Sequence, residues 1–250
     1  MGYFNIELKP TLTGANCVTA FGNADLLADW EVKTVPTKKP FRVLGVSCIS
    51  RGTEGASQTA NYGLIFASPD SDGTVPSSLG TVNATIDGTG FFRNLVGIYP
   101  VTATADSIDT VNVSTESNTD GNALDVLVVE PSRVINTDGS YGYDGTGVNG
   151  KICIGVAHTS GGADFGTGVL TTGIVGASTS SVDITTDGTD ARKALAVGDV
   201  INAQDGAVVG TVTSIPDDTS VVVDAVAGAL ANNDELCNVN PVTFIIHCEY

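Results

Sequence analysis

Apolar and polar residues alternate along most of this chain with a period of two, the repeat of a β-strand that has one covered face. Residues 2–8 set the pattern: Phe4, Ile6 and Leu8 fall on one face, and Tyr3, Asn5 and Glu7 on the other. The same signal predicts strands over 16–21, 30–35, 41–49, 62–67, 91–99, 124–129, 151–158 and 244–250. Residues 91–99 carry the densest aromatic content and are expected to be central. Leu124 to Val129 is nearly continuous in apolar residues, so both of its faces should be covered. Helical signals are brief. One turn is expected over Asp25 to Trp30 behind Asn23 as N-cap, and one over Ala191 to Leu195 capped by Thr189 or Asp190.

The texture changes after Ser160-Gly161-Gly162-Ala163. Residues 166–238 contain no aromatic residue, and Arg192 and Lys193 are their only basic ones. Five short strands are predicted there, over 169–175, 181–186, 199–203, 207–215 and 219–224, with a hairpin at Asp205-Gly206 and a turn at Pro216-Asp217-Asp218. Short strands at this spacing suit a small closed or partly closed barrel. The aromatic segment 244–250 resembles 151–158 and should pair back into the first part of the chain. The expected fold class is therefore all-β: a β-sandwich-like main domain over 1–162 plus 239–250, with a small β-barrel inserted over 163–238.

Composition narrows the function more than the fold. No run approaches the roughly 20 apolar residues that span a bilayer, and the N-terminus lacks the basic start and apolar core of a signal peptide. The chain is expected to be made in a cytosol, with no membrane partner, and to stay there or leave inside something larger. Five cysteines without metal-type spacing read as buried free thiols. The net charge of −17 opposes nucleic-acid binding, because phosphates would be repelled. That charge is uneven: residues 1–51 hold six of the 11 Lys and Arg residues but only four of the 28 acids.

Candidate chemistry is sparse. His158 and His247 would meet only if their strands pair, which would allow a metal site with Cys153 or Cys248; half-buried imidazoles are the preferred reading. Gly145-Thr146-Gly147-Val148-Asn149-Gly150 has dinucleotide-loop spacing but follows a loop and precedes a strand, so it reads as a turn. Asp70 to Gly73 and Asp138 to Asp144 offer oxygen-rich loops for calcium, without the ligand spacing of an EF-hand; solvated turns are preferred. A glycosidase would need carboxylates across an aromatic-lined cleft, and the chain has one Trp. No catalytic residue, cofactor or metal is expected, and the chain is not expected to be an enzyme.

Two stretches carry a resemblance. Phe4-Asn5-Ile6-Glu7-Leu8 running on to Asn16, and Leu195 to Ile201 continued by Gly210 to Ile215, resemble virion structural proteins of tailed bacteriophages, particularly marine phages of cyanobacteria. They cover under a quarter of the chain and carry no catalytic motif. The resemblance implies a virion location after assembly in a host cytoplasm. Among such roles a capsid decoration protein fits best, a homo-oligomer bound to the major capsid protein lattice, since no helix long enough for a capsid spine is predicted. A tail component or a receptor- or glycan-binding module is the alternative. The local excess of cations makes Lys33, Lys38, Lys39 and Arg42 the candidate partner-binding residues, because a basic patch on an acidic protein is steered toward acidic surfaces.

Overall fold

Each alternating strand must bury its apolar face against another layer, and here that layer is a second sheet. The computed structural model describes residues 2–35, 41–56, 59–69, 75–87, 94–102, 107–108, 111–117, 133–135, 141–143 and 150–250, with only the backbone described from 107 to 143. The described strands are almost all antiparallel neighbours in an all-β fold, interrupted by two four-residue helices and one 3-10 turn.

A five-stranded sheet runs in the order β1 (Tyr3–Leu8), β17 (Val242–Glu249), β3 (Arg42–Arg51), β7 (Val111–Ser117), β6 (Ser107–Ile108). Facing it is a four-stranded sheet of β2 (Leu26–Val35), β10 (Gly150–Ser160), β4 (Asn61–Ala67) and β5 (Leu95–Val101). A two-stranded ribbon pairs β8 (Arg133–Ile135) with β9 (Tyr141–Tyr143). Strict alternation makes β17 the spine of the first sheet: Val242, Phe244, Ile246 and Cys248 point into the core, and the residues between them point out. Ile6 and Leu8 join them from β1, and Val43, Val46 and Cys48 from β3. Ile152, Ile154, Val156, Tyr62, Leu64 and Phe66 meet them from the other sheet. Tyr62 and Phe244 touch edge to face across the sandwich, with centroids 5.3 Å apart.

The far side of the four-stranded sheet is covered as well. Leu79 packs there on Leu26, Ile65 and Ala157, with Trp30 and Ile86 beside it. Gly155 permits this, because a Cβ at that position would lie 2.2 Å from Leu79 Cδ1 and 3.4 Å from the Trp30 ring. Two-sided burial corrects one expectation. Leu26, Leu27 and Ala28 are consecutive buried residues because both faces of β2 are covered at that end, and this produced the apolar cluster read as a helical turn. The turn of helix lies earlier instead, at α1 (Ala15–Val18), overlapping the stretch read as a strand over 16–21. Among the described strands β5, expected to be central, lies at the end of its sheet. Residues 124–129 lie outside the described residues.

Residues 169–238 build a sheet and an aliphatic core of their own. The order is β11 (Val169–Thr171), β12 (Val182–Gly188), β15 (Ser220–Val223), β14 (Val208–Asp217), β13 (Val200–Ala203), β16 (Leu236–Asn238). The two ends of that order meet. Leu170 bridges Glu235, the Thr171 amide donates to the Asp234 carbonyl at 2.9 Å, and the Thr167 hydroxyl donates to the Leu236 carbonyl at 2.6 Å. The sheet is thereby a nearly closed barrel filled by Ile184, Leu195, Ile201, Val212, Val221, Val223 and their neighbours. Its sixth strand, β16, escaped the sequence pattern because three consecutive buried residues cannot alternate. Asp190 caps α2 (Ala191–Ala194) by accepting from the Arg192 amide at 3.0 Å.

Candidate functional site

The side chains that β1, β17 and β3 do not bury form one continuous outer face, and the charged residues of this region gather on it. Asn5 and Glu7 come from β1, Thr243, Ile245, His247 and Glu249 from β17, and Ser47, Ile49 and Arg51 from β3. The strand register decides which of them meet. His247 lies opposite Asn5 on one side and next to the Ser47 row on the other. Its Nδ1–H donates to Asn5 Oδ1 at 3.0 Å, and its Nε2 accepts from the Ser47 hydroxyl at 3.0 Å. This polar row crosses three strands and holds the ring by both of its nitrogens.

Around the row every described cation sits beside an acid. Lys9 Nζ lies 2.7 Å from Glu7, and Arg42 Nη1 lies 3.6 Å from Glu249. Arg51 reaches out of β3 to the barrel, where its guanidinium engages both carboxylate oxygens of Asp199, with Nη2–Oδ1 at 3.1 Å. Asp199 also accepts from the Ala196 amide at 2.7 Å, so one carboxylate both shapes the barrel turn and receives the sandwich. Beside this pair, where the barrel rises from the sheet, is a cleft of about 230 Å³ whose walls include Lys9, Ile49, Val200 and Asn240. Ile49, Val200 and the nearby Val197 are exposed apolar residues at this junction. The arrangement offers a flat face with its charge locally balanced, a hydrogen-bonding row and a shallow apolar rim. Such a face can hold another protein surface, and on it the Ser47 hydroxyl, the His247 imidazole and the Asn5 amide stand in the order of a hydroxyl, a base and an orienting group.

No family model matches the sequence, and no curated protein matches it. Among solved structures, the crystal structure of an infectious bursal disease virus VP2 subviral particle aligns over 99% of this chain at 9% identity with a TM-score of 0.15. This chain covers 41% of that one.

The residues singled out by sequence are distributed across two sheets. Lys33 belongs to β2, where Glu31 lies 2.7 Å from its amine, and Arg42 opens β3 on the five-stranded face. Lys38 and Lys39 lie outside the described residues, as do Asp70 to Gly73, Asp138 to Ser140, and Asp144 to Asn149. The two histidines are not neighbours. His247 is on the outer face, whereas His158 is fully buried next to Tyr62, ring centroids 6.4 Å apart. His158 works on the backbone: its Nδ1–H donates to the Gly22 carbonyl at 2.7 Å, its own amide donates to Asp25, and its carbonyl accepts from Ala24. It thus pins the Gly22–Asp25 turn, in which Ala24 has φ of 66°. All five cysteines are buried and free. Sequence reasoning missed Arg51, Asp199 and the Asn5–His247–Ser47 row. Alternation places each on an outer face, but which faces adjoin depends on β17 entering between β1 and β3.

Proposed function

We propose that this chain is a virion structural protein, a capsid decoration subunit that docks on the major capsid protein lattice through the outer face of its five-stranded sheet. The supporting observation is the distribution of charge. Lys9, Arg42 and Arg51 place three of the chain's 11 basic residues on or beside this one face, each next to an acid, while residues 52–250 hold 24 of the 28 acids. A face balanced in charge loses less on desolvation than the acidic remainder would, and the acidic remainder keeps decorated particles apart by mutual repulsion. The half-buried Ile245 and the exposed Ile49 add apolar area, and the cleft by Arg51 can seat a protruding side chain.

The direct test is stoichiometry on purified particles. Imaging and quantitative mass spectrometry should find the chain in copy numbers that scale with the capsid lattice; a few copies at one vertex would assign it to the tail instead. The docking face is tested by changing Lys9 and Arg42 together to Glu, which should slow association with undecorated particles roughly tenfold at low salt. Added salt should restore part of the rate by screening the new repulsion. An unchanged rate at low salt would place the contact elsewhere.

A further inference from the structure

The chain's two histidines are used in opposite ways. His158 is buried, with Nδ1–H given to the Gly22 carbonyl and no partner at Nε2. His247 is half-buried on an outer face and meets a side chain at each nitrogen. Asn5 Oδ1 can only accept, so its bond of 3.0 Å places the ring proton on Nδ1. Nε2 then turns its lone pair toward the Ser47 hydroxyl, 3.0 Å away. The ladder explains how the ring gets there. Asn5 pairs directly with His247 from β1, while the residue opposite His247 on β3 is Gly45, which has no side chain to stand in the way. The imidazole therefore crosses toward Ser47, two residues further along β3. Around Ser47 the face is apolar: Ile245 lies opposite it, and the exposed Ile49 follows it on the same face.

We propose that Ser47 is a nucleophilic serine that accepts a small apolar acyl group from an activated ester, with His247 as its base and Asn5 as the positioning residue of that base. Ser47 Oγ attacks the ester carbonyl carbon as its proton passes to His247 Nε2. The bond from that carbon to the leaving oxygen then breaks, and the imidazolium returns the proton to the departing group. One aryl ester and one serine become one acyl-serine and one phenol, with no change of oxidation state. The same geometry limits the donor. β3 and β17 each have a strand on both sides, and Ser47 is paired with Ile245 and Thr115, so the amides around it are held in ladders and do not gather on an oxyanion. A leaving group that departs readily must supply what an oxyanion hole would. The product is an ordinary alkyl ester on Ser47, so the acyl group stays there and the reaction stops at one per chain. This reactivity belongs to the isolated chain and does not depend on what the face docks against.

The test is to incubate the native, full-length protein with p-nitrophenyl acetate, follow the release of p-nitrophenolate, and locate acetyl groups over time by peptide mass spectrometry. Ser180 is the internal reference, an exposed hydroxyl whose neighbour is Ser178 rather than an imidazole. Ser47 should be acetylated roughly a hundredfold faster than Ser180, the effect of a positioned base. His247→Gln should bring the Ser47 rate down to that of Ser180. Asn5→Ala should slow it about tenfold, which corresponds to one hydrogen bond, and Asn5→Asp, which keeps an acceptor for Nδ1–H, should restore it. Circular dichroism should be the same in all of these variants. Ethyl acetate, whose leaving group is poor, should leave Ser47 unmodified. If His247→Gln does not fold, the comparison of Ser47 with Ser180 in the native chain decides. Acetylation of Ser47 no faster than of Ser180, an unchanged Ser47 rate in folded His247→Gln, or ready reaction with ethyl acetate would overturn the proposal.

Discussion

Removing Arg51 tests whether one ion pair couples the barrel to the sandwich. The Arg51 and Asp199 side chains are 27% and 13% exposed, so the pair lies between two regimes. A solvated pair contributes about 0–1 kcal/mol, whereas breaking a buried one costs about 3–5 kcal/mol. The bidentate contact and the second acceptor duty of Asp199 place Arg51→Ala near ~2 kcal/mol. A double-mutant cycle with Asp199→Ala should return a coupling energy of about 1–2 kcal/mol. The molecule supplies its own probes for this. Trp30 is the single tryptophan and lies in the sandwich, and residues 166–238 have no aromatic residue, so fluorescence follows only the sandwich while far-ultraviolet circular dichroism follows both parts. The two urea transitions should coincide in the native chain and separate in Arg51→Ala, the barrel and sandwich then unfolding at different midpoints. A coupling energy below about 0.3 kcal/mol would refute the reasoning, since that is the additivity of residues that do not interact.

Gly155→Ala should cost about 1–3 kcal/mol in chemical denaturation, because the new Cβ drives Leu79 off β10; combining it with Leu79→Ala should recover part of the loss. Asp190→Ala removes the cap of α2 and should cost about 1 kcal/mol in the circular-dichroism transition. Stability should fall in alkali: burial raises Cys248 to about 12 and Tyr62 well above the ordinary phenol. Groups raised in this way stabilise fully below their unfolded values and lose that contribution as pH climbs toward the folded ones, so Cys248→Ala should flatten the melting-temperature profile above pH ~9.

Strands whose alternation has one covered face were legible in the sequence, β1, β3 and β17 above all. The elements that were misread share a physical cause: burial on both sides, or burial without alternation. Leu26 to Ala28 look helical because Leu79 covers the side of β2 that a simple sandwich would leave wet. β16 is invisible because Leu236, Cys237 and Asn238 are all buried. The chemistry of the outer face was legible only in part. The excess of cations in the first 51 residues was plain, but the acids that sit beside them, Glu249 and Asp199, come from far along the chain and meet them only through strand pairing. Single-sequence reasoning handles local periodicity well and has no access to non-local register.

The place of β17 has a consequence for how the molecule assembles. Until it docks, β1 and β3 have a vacant slot between them, bounded by two strand edges whose hydrogen-bonding groups face each other unpaired. The barrel shortens the search, because its two ends, Ala163 and Cys237, both anchor in the sandwich core, so a folded barrel delivers β17 near its slot. A slow or destabilised barrel lengthens the interval in which the slot stays open. During that interval the same strand from a second copy can fill it with the same ladder, giving an exchanged dimer that closes reciprocally. The proportion of such dimers would then depend on protein concentration while folding proceeds, and dilution afterwards would leave it unchanged until the sheet itself unfolds.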